Sequence, residues 1–407
     1  MSRLWRLVRR DLLLWELSLV AWGLLVSYFA TAHGRLDWTG HGLGRDFVNF
    51  WTAGHLVLDG QVSDIFRPPV FLAHEHQLVA RTLPFHFWSY PPPALFLVAP
   101  LGLTAYYPGL ALWSLAGMLA LIPAAFAWSR EAAVRCLVVL GPAVATNIAL
   151  GQNGAFTAAL LIGGLALLDR RPSLAGVLLG LLIFKPQIAI LLPVMVLAGR
   201  RWRTMLAAGV TVAVVLAASV AVFGLDAWRG FFGPTLEMQT RMLSLGHGPF
   251  QWMMPSAYMA GRMLGLSAGW AMLVQAPFAL FAAVVVWVVW RRNGISLALR
   301  GAVLMMATFV ASPQAFNYDL IPACAAVLLL WRVDGWVSKA TALLVWAMPV
   351  VLTAWALPVM SKDIADLREP VAPLILAFAT IWLARLALQS LTRAASASAV
   401  GELASNT

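Results

Sequence analysis

Residues 12–32 read LLLWELSLVAWGLLVSYFATA, directly behind a basic set formed by Arg3, Arg6, Arg9 and Arg10. A bilayer crossing takes about 20 predominantly apolar residues in a helix, and this run supplies them. A basic head, an apolar run and the small-residue site Ala30-Thr31-Ala32 also fit a cleaved signal peptide. The length of the run favours a retained first span with its N-terminus inside.

Similar stretches recur along all 407 residues, of which 61% are hydrophobic and only 11% charged, with a mean hydropathy of +0.81. Soluble domains are about 25% charged, so most of this chain has no water to face. The expected fold class is an all-α polytopic membrane protein. A transmembrane β-barrel would show short alternating segments, and none are visible. The net charge of +11 fits Lys and Arg gathered in cytoplasmic loops, and no nucleic-acid partner is expected. Cys136 and Cys324 lie in apolar segments without metal-ligand spacing.

Basic clusters at Arg3–Arg10, Arg130 and Arg135, Arg170-Arg171, Arg200–Arg203, Arg291-Arg292, Arg300, Arg332 with Lys339, and Arg393 mark the cytoplasmic side. Residues 33–88 then form a first extracytoplasmic loop, 225–270 a second and 358–372 a third. Three apolar blocks, Arg135 to Asp169, Arg171 to Arg200 and Arg300 to Arg332, are too long for one span and short for two. Each carries a polar or helix-breaking cluster near its middle: Leu150–Gly154, Phe184-Lys185-Pro186-Gln187, and Ser312–Asp319. Each reads as a hairpin of two short helices with its tip outward. Pro91-Pro92-Pro93 starts a further short interfacial helix. The sum is 10–12 spans in one domain, 1–393, with both termini cytoplasmic, an inner-membrane location, and a flexible tail at 394–407.

Polar groups at membrane depth are expensive and face a cavity, and irregular backbone is tolerated there only inside protein or around water. The three tips therefore converge on a cavity shared with the first loop, where Gly44-Arg45-Asp46-Phe47-Val48-Asn49-Phe50-Trp51 lies. Asp46 is either a loop carboxylate paired with Arg45 or a general base tuned by its neighbours. The flanking aromatics favour the base. Lys185 is either a snorkelling cation or a phosphate ligand, with Arg45 the second cation. Gln152 and Asn153 fit a self-satisfied turn or a hydroxyl-binding pair, as does Gln187 beside Lys185. Asp319, next to Asn317 and Tyr318, is a helix N-cap, a substrate ligand or a partner of Lys185. Trp88-Ser89-Tyr90 reads as an interfacial anchor or a sugar-stacking surface. His247, in Gly246-His247-Gly248, is a site residue of the second loop. His74 and His76 lack a third ligand, and no Asp-x-Asp pair, Walker loop or nucleotide fingerprint exists. No metal site is expected.

These motifs, in this order, resemble glycosyltransferase family 87, the polyprenyl-phosphate-mannose-dependent mannosyltransferases of GT-C architecture. The resemblance is carried by Arg45-Asp46-Phe47 with Phe50-Trp51 and Ala53-Gly54, by Trp88-Ser89-Tyr90-Pro91-Pro92, and by Gly151-Gln152-Asn153. Phe184-Lys185-Pro186-Gln187 and Ser312-Pro313 with Tyr318-Asp319 complete it. It runs from about residue 40 to 330. It implies an inverting displacement on the extracytoplasmic face, with Asp46 as base and mannose as the default sugar. A polyprenyl-phosphate sugar would be the donor substrate, and a lipid or glycan the acceptor, in a setting of membrane lipids and without a cofactor. Gln152, Asn153, Gln187, Tyr318, Asp319, Tyr90 and His247 would contact sugar or acceptor. A transporter or flippase of a lipid-linked substrate is the alternative. It would place related halves around a midplane site, which the long first loop disfavours.

Overall fold

The computed structural model describes residues 10–245, 252–359 and 371–405. His247 and most of the third loop lie outside the described residues. Within them the chain is helical, without β-strands. In order the helices are α1 (Leu12–Ala30), α2 (Phe47–Leu58), α3 (Pro68–Leu78), α4 (Tyr106–Trp128), α5 (Ala132–Leu140) and α6 (Pro142–Ala149). Next come α7 (Gly154–Leu167), α8 (Pro172–Gly180), α9 (Leu192–Ala198), α10 (Trp202–Gly230), α11 (Leu236–Leu245) and α12 (Ala257–Met263). The series ends with α13 (Ala268–Arg291), α14 (Leu297–Ala311), α15 (Ile321–Trp331), α16 (Trp336–Val359) and α17 (Ala372–Ser405).

Among the described residues seven helical segments are long and apolar enough to cross a membrane, α1, α4 and α13 among them. The outer faces of α1 and α10 carry half or more exposed Leu19, Val26, Leu206, Val214 and Val222, a pattern stable only against lipid. The chain is a polytopic membrane protein. The three hairpins are present, and each break has a local cause. After α6, Gly151 takes φ +57°, a left-handed turn open to glycine. Lys185 precedes Pro186, and Ser312 precedes Pro313; a following proline disfavours the α region. Both residues are accordingly extended or irregular, with ψ 69° and 125°.

The arms α14 and α15 are buried almost all round. A helix apolar on every side belongs in the middle of a bundle, and these two form its axis. Around them α8 packs onto α10 through Gly176 and Gly180, a small-xxx-small pair. A Cβ at Gly176 would stand 2.4 Å from the Thr204 carbonyl oxygen. The basic clusters gather at one end. Asp11, wholly buried, accepts hydrogen bonds from Trp331 Nε1 (2.9 Å) and Arg332 Nη1 (2.5 Å), and Arg332 reaches Glu131 at 2.9 Å. Arg201 pairs with Asp169 at 2.6 Å. The three hairpin tips lie at the other end.

Four expectations need correction. The stretch from 225 is not a loop: α10 kinks at Gly224 (φ +80°), and helix continues through a π-turn at Phe231–Thr235 into α11. The tail from Ala394 is helical to Ser405, because its alanine-rich run has high helix propensity. Asp319 does not cap α15; Leu320 occupies the cap position. Trp88 is no surface anchor. It is buried beneath Phe50 and Tyr90, with ring centroids 6.0 and 5.3 Å away, as part of an aromatic cluster that seats α2 and α3 on the bundle.

Candidate active site

Asp46 owes its position to a strained turn. Gly44 (φ +79°) and Arg45 (φ +47°) both adopt left-handed backbone, and for a non-glycine residue that costs about 1–3 kcal/mol. The surroundings offset it. The Arg45 guanidinium pairs with buried Asp37 at 2.7 Å and donates to Thr39 Oγ1 at 2.9 Å. Asp37 in turn accepts from the Thr39 amide at 2.8 Å, and Gly44 N–H donates to Tyr28 of α1 at 3.0 Å. The chain emerges from this knot with Asp46 at the start of α2.

The 150–153 tip docks on that turn. Asp46 N–H donates to the Leu150 carbonyl at 3.2 Å, and Gln152 Nε2 donates to Asp46 Oδ2 at 2.5 Å. Gly151 is pressed so close that a Cβ would lie 2.3 Å from Gly44 O. Trp113 of α4 donates to Gly151 O at 3.0 Å, and Asn147 Nδ2 holds Gln152 O at 2.5 Å. Gln152 Oε1 accepts from Tyr90 OH at 3.2 Å.

The second and third tips meet the first. Lys185 Nζ donates to Asn153 Oδ1 at 2.8 Å and to Asp319 Oδ1 at 2.6 Å. Lys185 and Asp319 are almost fully buried, yet Lys185 is among the residues that line the cavity, and its Nζ sits 5.0 Å from the Tyr318 ring centroid. Four segments far apart in sequence thus join into one hydrogen-bonded arc: Asp46, Gln152, Asn153, Lys185, Asp319. A carboxylate stands at one end and an ion pair at the other.

A cavity of about 500 Å³ lies over this arc. Of the expected site residues, Arg45, Asp46, Tyr90, Gln152, Lys185, Gln187 and Tyr318 line it. Asn153 and Asp319 stand behind Lys185 and hold it. Part of the wall was not anticipated from sequence: His41, Asn49, His86, Gln239 and Phe316. Asn49 stands one helical turn after Asp46, a spacing that could have flagged it. Burial and the Arg45 charge push His41 down to about 4, so it is a neutral imidazole at physiological pH. Burial also lowers His86, although Asp46 opposes the shift. One flank is apolar, built by Phe231, Leu236, Met242 and Leu243. The cavity thus combines the carboxylate Asp46, the lysine Lys185 beside aromatic rings, and an apolar flank.

A model described as glycosyltransferase family 87 matches residues 88–313, more than half of the chain. No curated protein and no solved structure matches. The matched stretch contains Tyr90, Gln152, Asn153, Lys185 and Gln187; Asp46 and Asp319 lie outside it.

Proposed function

The chain belongs to glycosyltransferase family 87, and from that premise we propose that its cavity transfers a sugar, mannose by default, from a polyprenyl phosphate to a hydroxyl acceptor. It is a membrane glycosyltransferase, and the transporter alternative falls with that membership. The observation that carries the proposed chemistry is the arc of hydrogen bonds linking Asp46 to Lys185 across one cavity. The acceptor oxygen attacks the anomeric carbon while the bond from that carbon to the phosphate oxygen breaks. The bonding pair leaves with the phosphate, and the acceptor proton passes to the Asp46 carboxylate. Attack from the face opposite the leaving group inverts the configuration.

Lys185 stabilises the charge that develops on the phosphate, the point at which preorganised electrostatics contribute most. A monophosphate leaving group needs no more than a resident cation, so transfer is expected to survive EDTA. Asn153 and Asp319 are positioning residues for Lys185, as Gln152 is for Asp46. Tyr90, Gln187 and Tyr318 contact the sugar. The donor's prenyl chain lies along Phe231, Leu236, Met242 and Leu243. The basic clusters at the opposite end support a cavity that faces the extracytoplasmic side of the inner membrane.

The test is transfer from radiolabelled polyprenyl-phosphate-mannose by purified protein in lipid with EDTA, comparing wild type with Asp46→Asn. Loss of a general base lowers rate by about 10²–10⁴-fold. Full transfer by Asp46→Asn would remove the base assignment. No transfer by wild type would remove the proposed donor.

A further inference from the structure

Thr39 joins Asp37, His41 and Arg45 through one hydroxyl. Its Oγ1 lies 2.6 Å from Asp37 Oδ1, 2.9 Å from Arg45 Nη2 and 2.9 Å from His41 Nδ1. A hydroxyl has one proton to give, and a carboxylate can only accept. The Asp37 carboxylate, paired with Arg45 at 2.7 Å, therefore takes the Thr39 proton. Arg45 and His41 must both donate to the Thr39 oxygen, so His41 carries its proton on Nδ1. Burial and the Arg45 charge hold its pKa down at about 4, and at neutral pH the ring has no second proton. An imidazole in this state has a bare acceptor at Nε2. His41 Nε2 has no hydrogen-bond partner among the described residues. His86 stands against the ring, with centroids 6.3 Å apart and planes at 72°.

Both imidazoles line the active-site cavity together with Arg45 and Asp46. Arg45 immediately precedes Asp46, so the Thr39 hydroxyl ties His41 to the turn that places the carboxylate. Nearby donors are already committed, Gln152 Nε2 to Asp46 and Tyr90 OH to Gln152 Oε1. Asp46 and His41 present acceptors. We propose that His41 is a specificity-determining residue, whose Nε2 accepts a hydrogen bond from a second hydroxyl of the acceptor substrate. The inference rests on the proposed transfer reaction. The first hydroxyl oxygen bonds to the anomeric carbon and gives its proton to Asp46. The second hydroxyl keeps its proton and holds the substrate against His41. Two neighbouring hydroxyls, one for each group, describe a polyol such as a sugar ring. A substrate with a single hydroxyl, such as a serine or threonine side chain, leaves Nε2 without a partner. Sites built to pair with a hydroxyl reject the analogue that lacks it.

The test measures binding of methyl α-mannoside to full-length protein in nanodiscs by saturation-transfer NMR, without donor or turnover. His41→Asn keeps an amide N–H at the Nδ1 position and removes the acceptor at Nε2. His41→Gln puts an amide oxygen near the Nε2 position. Loss of one hydrogen bond should raise Kd about tenfold in His41→Asn, with much of that recovered in His41→Gln. One monodeoxy derivative of the probe should bind wild type about tenfold more weakly than its parent and lose nothing further in His41→Asn, because both changes delete the same bond. Binding should persist when a farnesyl phosphonate C-mannoside, whose sugar cannot be transferred, fills the donor site. No binding by wild type, equal Kd in wild type and His41→Asn, or additive losses for every deoxy derivative would overturn the assignment. Displacement by the C-mannoside would move His41 to the donor sugar and overturn it as well. Binding needs no turnover, so failure of this assignment is distinguishable from failure of the transfer reaction.

Discussion

Lys185 and Asp319 show how much of this site depends on single residues. Their ion pair is 2.6 Å long and closed to solvent. Removing one partner of such a pair strands a buried charge and costs about 3–5 kcal/mol, whereas replacing both with apolar groups is often neutral. Lys185→Ala should therefore unfold at markedly lower temperature, while Lys185→Met combined with Asp319→Leu should melt near wild type and still transfer no sugar. A stable, active double variant would dismiss Lys185 as the phosphate cation. Glu75 gives a second prediction. It is wholly buried on α3, and neither carboxylate oxygen has a hydrogen-bond partner among the described residues. Burial, reinforced by the Asp46 charge, raises its pKa well above 4.5. An acid whose folded pKa is raised binds more protons folded than unfolded. Stability is then greatest below the unfolded pKa and falls as pH rises above it, by up to about 1.4 kcal/mol per unit. Glu75→Gln should flatten that decline and melt higher than wild type at about pH 8, with no advantage near the unfolded pKa. Thermal melts across pH in detergent decide it; parallel wild-type and variant curves would refute the burial argument.

At the scale of elements, the active site is made by hairpins that stop short. Each break occurs where glycine or a following proline prevents continuation, and each leaves polar side chains at a tip instead of in a span. The tips engage through contacts that tolerate no added atom. Gly151→Ala would require a left-handed alanine, at about 1–2 kcal/mol, and would drive its Cβ against Gly44 O. The expected outcome is a modest drop in melting temperature with a disproportionate loss of turnover, because the Gln152–Asp46 bond shifts with the tip. Steady-state kinetics beside thermal melts measure the split. Equal, small losses in both would mean that the tip's position is not critical.

At the scale of the molecule, ion pairs gathered around buried Asp11 hold the basic end together, and the cavity occupies the other. With Cys136→Ser as background, Glu237→Cys near the cavity should react with an impermeant maleimide on intact cells, and Arg292→Cys only after permeabilisation. The reverse pattern would put the cavity on the cytoplasmic side. The membrane class, the hairpins and the residues of the arc were legible in the chain because hydropathy, proline and glycine act locally. Charge scarcity and span-length apolar runs left no soluble alternative, and polar clusters inside apolar blocks identified Gln152, Lys185 and Asp319. Sequence could not assign their partners. Whether Asp319 would cap a helix or meet Lys185, and whether Trp88 would face lipid or core, depended on how three distant tips packed. The wall of His41, His86 and Gln239 and the helical course after Gly224 likewise arise from contacts between segments. No local pattern encodes such contacts, because each takes its energy from surfaces that meet only when the bundle closes.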